Sequence, residues 1–412
     1  MPTDRLHETL AQEIHAVDAR GASKRREPVI TGVLPAQDGF GPRYLLAGEG
    51  SQPFLKMNSN NYLGMALRAE LAAAAEGAGR LYGAGPGAVR FISGTCAPHV
   101  ELEERLAAFH GREAAMLFSA AYSAMIGVIV PLVSADTVLV SDELNHNCII
   151  NAMRLARPRE KYVYRHLDLA ELDERLTMAA ASGARRALVV TDGIFSMRGD
   201  HAPLAEIAAL CRRHDAAFAE NVVLLVDDSH GVGACGATGR GTEEITGSEP
   251  ADILVATLGK ALGVNGGYVV GSRVLVDFLR ETAPTYIYSN PIGASEAAAA
   301  LAALDLLDSP RGRELLAHLR AMTRRFEKGL IDLGLETIPS EHPVVPLMVR
   351  DTPRTLAIVD HLRAHGVLAT GLNFPVVPRG DEEIRFQVSA DHTPADIDHV
   401  LEQLGRFAPA AG

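Results

Sequence analysis

Short apolar segments that alternate with amphipathic segments constrain the fold of this chain most strongly. The pattern predicts helices at residues 100–109, 169–181 and 204–218, and strands at 137–141, 187–192, 222–227, 252–256 and 268–271. Strands that are apolar along nearly their whole length are typical of a sheet covered by helices on both faces. We therefore predict an α/β fold with a parallel or mixed sheet.

The length of the chain predicts more than one domain. A chain of 412 residues, 47% of them hydrophobic, suits a large domain and a smaller one. We expect an amino-terminal helix (6–20) and arm at residues 1–57, a large domain at 58–290, and a smaller α+β domain at 291–412 whose first helix spans 294–307.

Charge and cysteine usage exclude several classes of function. A net charge of −12 and a pI near 5.7 argue against nucleic acid and anionic membrane surfaces as partners. There is no apolar run of membrane-spanning length and no signal-peptide pattern. The four cysteines form no CxxC pair, which favours reduced thiols over disulfides or zinc. We expect a cytoplasmic protein with no metal site.

Two polar residues at strand ends indicate the chemistry. Lys260 follows the strand at 252–256, and Asp227 ends the strand at 222–227. Ligands of open α/β sheets bind beyond the carboxyl ends of the strands. A lysine amine there can form a Schiff base with pyridoxal 5′-phosphate (PLP), while an aspartate keeps the ring nitrogen protonated. His230, three residues after Asp227, could reach the phenolic oxygen of the ring. This set predicts a PLP site.

Further candidates surround this set. His146 follows the strand at 137–141 and could stack on the cofactor ring, with an ordinary loop histidine as the alternative. The helix at 124–132 begins after residues 119–123, and free N–H groups there could bind a phosphate. The GAGPGA run (83–88) formally fits a dinucleotide-binding pattern, but it follows a helical stretch, so we interpret it as flexible backbone near the site.

Two features of the carboxy-terminal part have competing interpretations. Arg385 lies in a predicted strand at 384–389 and could bind the carboxylate of an amino acid. By residue type alone, a surface ion pair is the more common role for an arginine. His361 and His365 lie four residues apart on a predicted helix, but the glutamate of an HExxH zinc motif is absent, so we expect both to be exposed.

Six motifs together resemble the α-oxoamine synthase family, in the same order along nearly the whole chain: NSNNYLG (58–64), VRFISGT (89–95), TDGIFSM (191–197), DDSH (227–230), TLGK (257–260) and YSN (288–290). These PLP enzymes condense an amino acid with an acyl-CoA. The resemblance implies the PLP-dependent transferase fold type I, with a mostly parallel seven-stranded sheet in the large domain. It also implies a homodimer with active sites at the subunit interface.

The resemblance implies a role for each matching residue. Lys260 would bond the cofactor and act as general acid and base, with Asp227 at the ring nitrogen, His230 at the ring oxygen and His146 stacked on the ring. The phosphate would be bound by the backbone of Ala121 and Tyr122, by Thr257, and by Ser289 of the other subunit. Ser196 would lie near the cofactor oxygen, and Asn60 and Arg385 would hold the substrate.

Within the family, residues 145–146, 227–230, 374–378 and 389–393 most resemble the glycine C-acetyltransferase branch, the 2-amino-3-ketobutyrate CoA ligases. Glycine and acetyl-CoA are then the expected substrates. Phe386 stands where threonine is common, which could alter substrate choice, whereas residues 120–122 replace Ser-Cys-Phe with little expected effect. The alternatives are decarboxylating branches of the 8-amino-7-oxononanoate synthase or serine palmitoyltransferase type, an aminotransferase that uses no CoA, and a non-catalytic PLP-binding protein.

Overall fold

The computed structural model of the chain describes residues 3–19, 23–25, 27–374 and 376–408. Its helices are α1 (Asp4–Ala19), α2 (Ala69–Tyr82), α3 (Ala97–Phe109), α4 (Ala121–Leu132), α5 (Asn147–Leu155), α6 (Leu169–Ala181), α7 (Leu204–His214), α8 (Thr242–Thr246), α9 (Arg273–Thr282), α10 (Pro284–Ile287), α11 (Ala294–Leu307), α12 (Pro310–Asp332), α13 (Thr352–Ala364) and α14 (Pro394–Gly405).

The strands are β1 (Ile30–Leu34), β2 (Arg43–Leu46), β3 (Leu55–Lys56), β4 (Ala114–Phe118), β5 (Thr137–Asp142), β6 (Glu160–Tyr164), β7 (Arg186–Asp192), β8 (Val222–Asp227), β9 (Ile253–Thr257), β10 (Gly267–Gly271), β11 (Val344–Met348), β12 (Val367–Leu368), β13 (Thr370–Leu372) and β14 (Glu383–Gln387). Of the helices that the described residues form, none is long and apolar enough to cross a membrane.

The chain packs into two compact units. The larger comprises residues 60–323 and 340–343, and the smaller comprises residues 1–59, 324–339 and 344–412. The boundary that we expected at residue 290 lies instead near residue 324, because α11 packs against α2 and α3 of the larger unit. The amino-terminal arm, expected as a segment of its own, groups with the carboxy-terminal residues.

A seven-stranded sheet forms the centre of the larger unit, with the strand order β4-β10-β9-β8-β7-β5-β6. Strands β9, β8, β7, β5 and β6 are parallel, and β10 is antiparallel to both β9 and β4. Only nine residues connect β9 to β10, too few for the helical crossover that a parallel pair needs. The prediction of a mostly parallel seven-stranded sheet is confirmed.

The two faces of this sheet bury separate apolar clusters. Leu188 and Val190 of β7 join a cluster with residues of α4, α5 and α9, whereas Ala187 and Val189 join a second cluster with residues of α6 and α7. Alternation along the strand sends neighbouring side chains to opposite faces. The sheet is therefore covered on both sides, which leaves its strand ends as the accessible edge.

The smaller unit contains a three-stranded antiparallel sheet, β11-β14-β13, and two two-stranded pairs, β1-β2 and β12-β3. Asp396 of α14 stabilises it by accepting hydrogen bonds from Arg43 at 2.6 Å and from the Gly41 N–H at 2.9 Å. His365 is exposed as predicted. His361 is half-buried instead, because its ring packs against those of His365 and Phe407.

Several predicted elements have the expected bounds. The helices at 169–181 and 294–307 are α6 and α11 without change, and the strand at 222–227 is β8. The helix expected at 204–218 ends at His214, and a separate short turn follows at residues 215–217. The predicted helix at 6–20 is α1, although Arg20 lies outside the described residues. The GAGPGA run follows α2 and not a strand. A dinucleotide-binding loop follows a strand, so this position is consistent with our interpretation of the run.

Candidate active site

Acidic and hydroxyl side chains gather where the parallel strands end. Asp142, Asp192, Asp227 and Thr257 are the last residues of β5, β7, β8 and β9. Asp192 and Asp227 are direct partners in the register of β7 and β8. The carboxyl ends of these strands thus bring two carboxyl groups side by side, at the edge of the sheet where ligands of such folds bind.

The two adjacent carboxyl groups differ in their contacts. Asp227 accepts the Ser229 N–H at 3.1 Å and lies 3.5 Å from the Cys148 thiol. Asp192 accepts the His146 N–H at 3.0 Å through Oδ2, while its buried Oδ1 has no partner among the described residues. Burial, and then the charge of Asp227, raise the pKa of Asp192 well above its ordinary value, although Lys260 opposes this shift.

His146 begins α5 as its N-cap. Its Nδ1 accepts the Cys148 N–H at 3.3 Å and faces the Cys148 thiol at 3.0 Å, so the ring proton belongs on Nε2. Partial desolvation lowers the pKa of His146; Asp227 acts against that shift, and Lys260 adds to it. The side chain is exposed, and a neutral imidazole of this kind is able to stack on an aromatic ring.

His146, Cys148 and Asp227 also fulfil a geometric condition for a metal site, because their potential ligand atoms lie within 4.8 Å of one another. Burial and the charge of Asp227 raise the pKa of Cys148 far above its ordinary value. A thiol held in its protonated form is a poor metal ligand, since metals bind the thiolate. Asp227 and His146 of this trio also suit the ring nitrogen and the ring face of an aromatic cofactor.

Lys260 lies in the turn that follows β9 and is half-buried. The charge of its ammonium group acts to lower the pKa of both Asp192 and His146, so Lys260 lies within electrostatic range of these two side chains. Thr257 accepts the Gly259 N–H at 3.0 Å and donates its hydroxyl to the Gly266 carbonyl at 3.1 Å. To bind a phosphate, this hydroxyl would have to turn away from the Gly266 carbonyl.

A second chain of contacts orients His230. The buried Tyr62 hydroxyl lies 2.8 Å from His230 Nδ1 and 3.3 Å from Asn60 Oδ1. Beneath them, His342 Nε2 bonds the His230 carbonyl at 2.9 Å and packs its ring edge-on against Tyr62. Tyr62 thus fixes the orientation of the His230 ring through Nδ1.

The amino terminus of α4 is where the sequence predicts phosphate binding. No side chain caps the helix at Ala120, so the N–H groups of its first turn remain available. Gly267 of β10 passes directly against this turn, since a Cβ at that position would lie 2.2 Å from the Ala121 nitrogen. Free amides, a lysine, a buried acid pair and a stacking imidazole fit the phosphate, aldehyde, ring nitrogen and ring face of PLP.

The remaining predicted residues lie as follows. Ser196 is half-buried in the turn after β7, and Ser289 is half-buried between the exposed Tyr288 and Asn290. Arg385 lies on β14 of the smaller unit, where its guanidinium donates to the side-chain oxygen of Gln387 at 2.9 Å. The larger unit thus brings together Lys260, Asp227 and His146, with Asn60 linked to His230 through Tyr62.

The sequence analysis did not identify the residues that support the candidate site residues through hydrogen bonds. Asn145 bonds the Val190 carbonyl and the Asp192 N–H at 2.8 Å each, which joins β5 to β7. Tyr62, Cys148 and His342 were likewise given no role. Of these residues, only Asn145 could have been suspected from the sequence, because it directly precedes His146. A sequence does not show which residues a tyrosine or a histidine will contact.

Comparisons with known proteins identify the family of this chain. The family model "Aminotransferase class I and II" matches residues 52–404. The 8-amino-7-oxononanoate synthase of Marinobacter nauticus is 41% identical over 368 residues, which are 89% of this chain and 90% of that protein. The mitochondrial 2-amino-3-ketobutyrate coenzyme A ligase of Bos taurus is 40% identical over 354 residues, or 85% and 82% of the two chains.

A solved structure matches nearly the whole chain. The serine palmitoyltransferase of S. paucimobilis, with a PLP–myriocin aldimine bound, superposes with a TM-score of 0.85 at 26% identity and covers 98% of this chain and 97% of its own. Family match, relatives and fold agree on PLP as the cofactor and on fold type I. This chain belongs to the class I and II aminotransferase family of PLP-dependent enzymes and, within it, to the α-oxoamine synthases.

Proposed function

We propose that this enzyme condenses alanine with a seven-carbon acyl thioester that ends in a carboxylate, and that it releases 8-amino-7-oxononanoate. The observation that carries the proposal is the 41% identity to the M. nauticus synthase across 90% of that protein. This assignment is the alternative of the sequence analysis, and the relatives support it better than the glycine branch that we expected first.

The product's name specifies its two building blocks. Its nine-carbon chain has a ketone at carbon 7 and an amine at carbon 8, so the new bond joins those two carbons. Carbons 8 and 9 are then the α-carbon and methyl group of alanine, and carbons 1 to 7 come from the acyl group. The C–S bond of the thioester breaks to release a thiol, and the alanine carboxylate leaves as CO2.

PLP, when bound, supplies an aldehyde that captures the amino group and a ring that withdraws electrons from the α-carbon. We assign to Lys260 the removal of the α-proton and its return after CO2 is lost. Asp227 would hold the proton of the ring nitrogen, and His230, oriented by Tyr62, would face the ring oxygen. His146 would cover one face of the ring, with Ser196 near the cofactor oxygen.

The phosphate and substrate contacts complete the proposal. The N–H groups of Ala121 and Tyr122, with Thr257 and the second subunit's copy of Ser289, would bind the phosphate. Asn60 and Arg385 would bind the amino acid. An arginine at a carboxylate makes paired hydrogen bonds, and this protein, with its net charge of −12, needs local positive charge to attract anionic substrates.

Thiol release by the PLP-loaded enzyme tests the proposal. We expect alanine with pimeloyl-CoA to give the highest kcat/KM and a product with the mass of 8-amino-7-oxononanoate. Glycine lacks one methyl group, which is worth about 1–3 kcal/mol of discrimination, or roughly a 10–200-fold difference in kcat/KM. A higher kcat/KM with glycine and acetyl-CoA would overturn the proposed substrates in favour of the second candidate.

That second candidate is glycine C-acetyltransferase activity, which the 40% identity to the bovine ligase favours. The two activities differ in whether the enzyme removes CO2, as well as in their substrates. The alanine reaction releases one CO2 for each thiol, whereas the branch named after 2-amino-3-ketobutyrate keeps the carboxylate in its product. Because a released β-keto acid loses CO2 spontaneously, the ketone must be reduced with borohydride during turnover; a trapped hydroxy amino acid that retains the carboxylate would identify the second candidate, and the Lys260→Ala variant provides the background for both measurements.

We also propose a homodimer in which Ser289 contributes to the other subunit's site. We propose a reducing cytoplasmic compartment, which suits the free thiols of Cys96, Cys148, Cys211 and Cys235. Mixing the Lys260→Ala and Ser289→Ala variants tests the shared site. In a mixed dimer, one site would combine both substitutions and the other would carry neither. Activity should recover on mixing if subunits exchange, and light scattering would show the dimer; a monomer would refute this arrangement.

A further inference from the structure

His166 lies between two carboxyl groups near the sheet edge that carries the candidate site, and the sequence analysis assigns it no role. Its Nδ1 is 3.1 Å from Asp142 Oδ1, and its Nε2 is 3.0 Å from Asp200 Oδ2. The ring of Phe195 meets the imidazole edge-on, with 4.4 Å between centroids and 85° between planes. Each of the two ring nitrogens of His166 thus faces a carboxylate oxygen.

The pattern of acceptors defines the protonation state of His166. Carboxylates accept hydrogen bonds, so both ring nitrogens must donate, and only the imidazolium has two N–H groups. Asp142 also accepts the N–H groups of Leu144 at 2.8 Å and Leu167 at 3.0 Å, as an ionised carboxylate does. Two charge-assisted bonds then replace the water that the ring has lost.

Other charged groups around His166 are consistent with this state. Glu143 accepts the backbone N–H of His166 at 2.8 Å, and Arg198 lies 3.7 Å from Asp200. Burial lowers the pKa of His166, but the bonds and charges of Asp142 and Asp200 outweigh it and raise that pKa to about 9. The imidazolium is the form present at neutral pH.

The two carboxylates belong to segments that carry proposed site residues. Asp142 ends β5, and its carbonyl accepts the N–H of Asn145, directly before His146. Asp200 closes the turn that holds Ser196: the Asp200 carbonyl accepts the Phe195 N–H at 2.9 Å, and Ile194 pairs with His201 across the turn. A connection between Asp142 and Asp200 therefore links the Ser196 turn to the His146 loop.

We propose that His166, as an imidazolium, is a positioning residue that ties the Ser196 turn to the His146 loop and sets both against the PLP site. The inference rests on the proposed roles of Ser196 and His146, but the bridge itself is measurable without the cofactor. Because the charged form makes both bonds, the tie is complete at neutral pH and is lost as the pH rises through about 9.

Imidazole and amide NMR of the full-length apoprotein tests the bridge directly. The ring signals of His166 should titrate near pH 9, and the amide signals of Phe195 to Asp200 should follow the same curve. Asp200→Asn keeps the shape but removes one charge, so it should lower the pKa of His166 by about 1–3 units. A wild-type ring that titrates near the ordinary 6.5, or turn amides that ignore it, would overturn the proposal.

PLP titration tests the effect on the site. His166→Gln retains at most one of the two donor bonds and should weaken PLP binding about tenfold, in the lower range for loss of a group that orients a binding side chain. The matched control is His214→Gln, because His214 pairs with Asp173 between α6 and α7. Equal PLP affinity of His166→Gln, Asp200→Asn and the control would refute the positioning role, while the apoprotein titration would still report on the bridge.

Discussion

Gly267→Ala probes the proposed phosphate site through a close backbone approach. An added Cβ would lie 2.2 Å from the Ala121 nitrogen, 2.4 Å from its Cα and 2.6 Å from the Ala120 carbonyl carbon. All three atoms belong to the backbone at the start of α4, so no rotamer change can relieve the overlap. Either α4 or β10 must therefore move. Thr257, to which we also assign a phosphate contact, is the register partner of Gly267 on β9.

Two magnitudes follow from this overlap. Overpacking of a buried position typically costs about 1–3 kcal/mol of unfolding free energy. Displacement of one amide from a charged phosphate removes a hydrogen bond worth about 1.5–3 kcal/mol. At 1.4 kcal/mol for each factor of ten, PLP binding should weaken roughly 10- to 150-fold. The variant should therefore lose cofactor affinity as well as stability.

Urea unfolding of the apoprotein and PLP titration by absorbance measure the two effects separately. Gly271→Ala, at the other end of β10, is the matched control, because its Cβ would meet the rotatable Leu275 side chain at 2.7 Å and the Asp252 carbonyl oxygen at 3.1 Å, and neither belongs to α4. We expect the control to bind PLP as the wild type does. A Gly267→Ala protein that is less stable but binds PLP with unchanged affinity would refute the placement of the phosphate at α4.

Three further substitutions test other parts of the molecule. Lys260→Ala should remove the visible absorbance that PLP gains when it is joined to a lysine, together with thiol release; retained turnover would exclude Lys260 as the reactive amine. Tyr62→Phe deletes a buried 2.8 Å hydrogen bond to His230 and should lower the unfolding free energy, measured by urea titration, by about 1–2 kcal/mol. It should also shift the spectrum of bound PLP, and no change in either measurement would contradict the orienting role of Tyr62. In the smaller unit, burial favours a raised pKa for Asp396, but the N–H groups of Thr393 and Gly41 and the Arg43 guanidinium lower it overall. Stability from Asp396 is thus present above its ordinary pKa of 3.8 and lost as the pH falls through its folded value, so urea midpoints of wild type and Asp396→Asn should converge under acid.

The sequence was most informative where one local pattern decides the structure. Helix α6 starts at its predicted residue because Asp168 caps it by accepting the Glu171 N–H at 2.9 Å. The edge strand β6 lacked such a signal, since its residues are mostly exposed and form no apolar run. The positions of two candidate residues, Asp227 at the end of β8 and Lys260 shortly after β9, were predictable because both strands are apolar runs.

The residues that orient the site were not predictable, because their partners lie far apart in the sequence. Tyr62 and His230 are separated by 168 positions, and His166 and Asp200 by 34. No periodicity or motif spacing encodes such a pair. The chemistry of the missed side chains also depends on burial and on neighbouring charges, such as the two carboxylates beside His166, and both are properties of the packed fold.

The edge of the sheet as a whole explains how one charge can be directed at the ring nitrogen of PLP. Two carboxyl groups end adjacent parallel strands, and their repulsion is relieved if one of them carries a proton. Burial and the Asp227 charge raise the pKa of Asp192, which favours its protonated form. Desolvation likewise favours neutral His146. In the arrangement that we propose, Asp227, whose carboxylate accepts the Ser229 N–H at 3.1 Å, is then the member of the pair that faces the ring nitrogen.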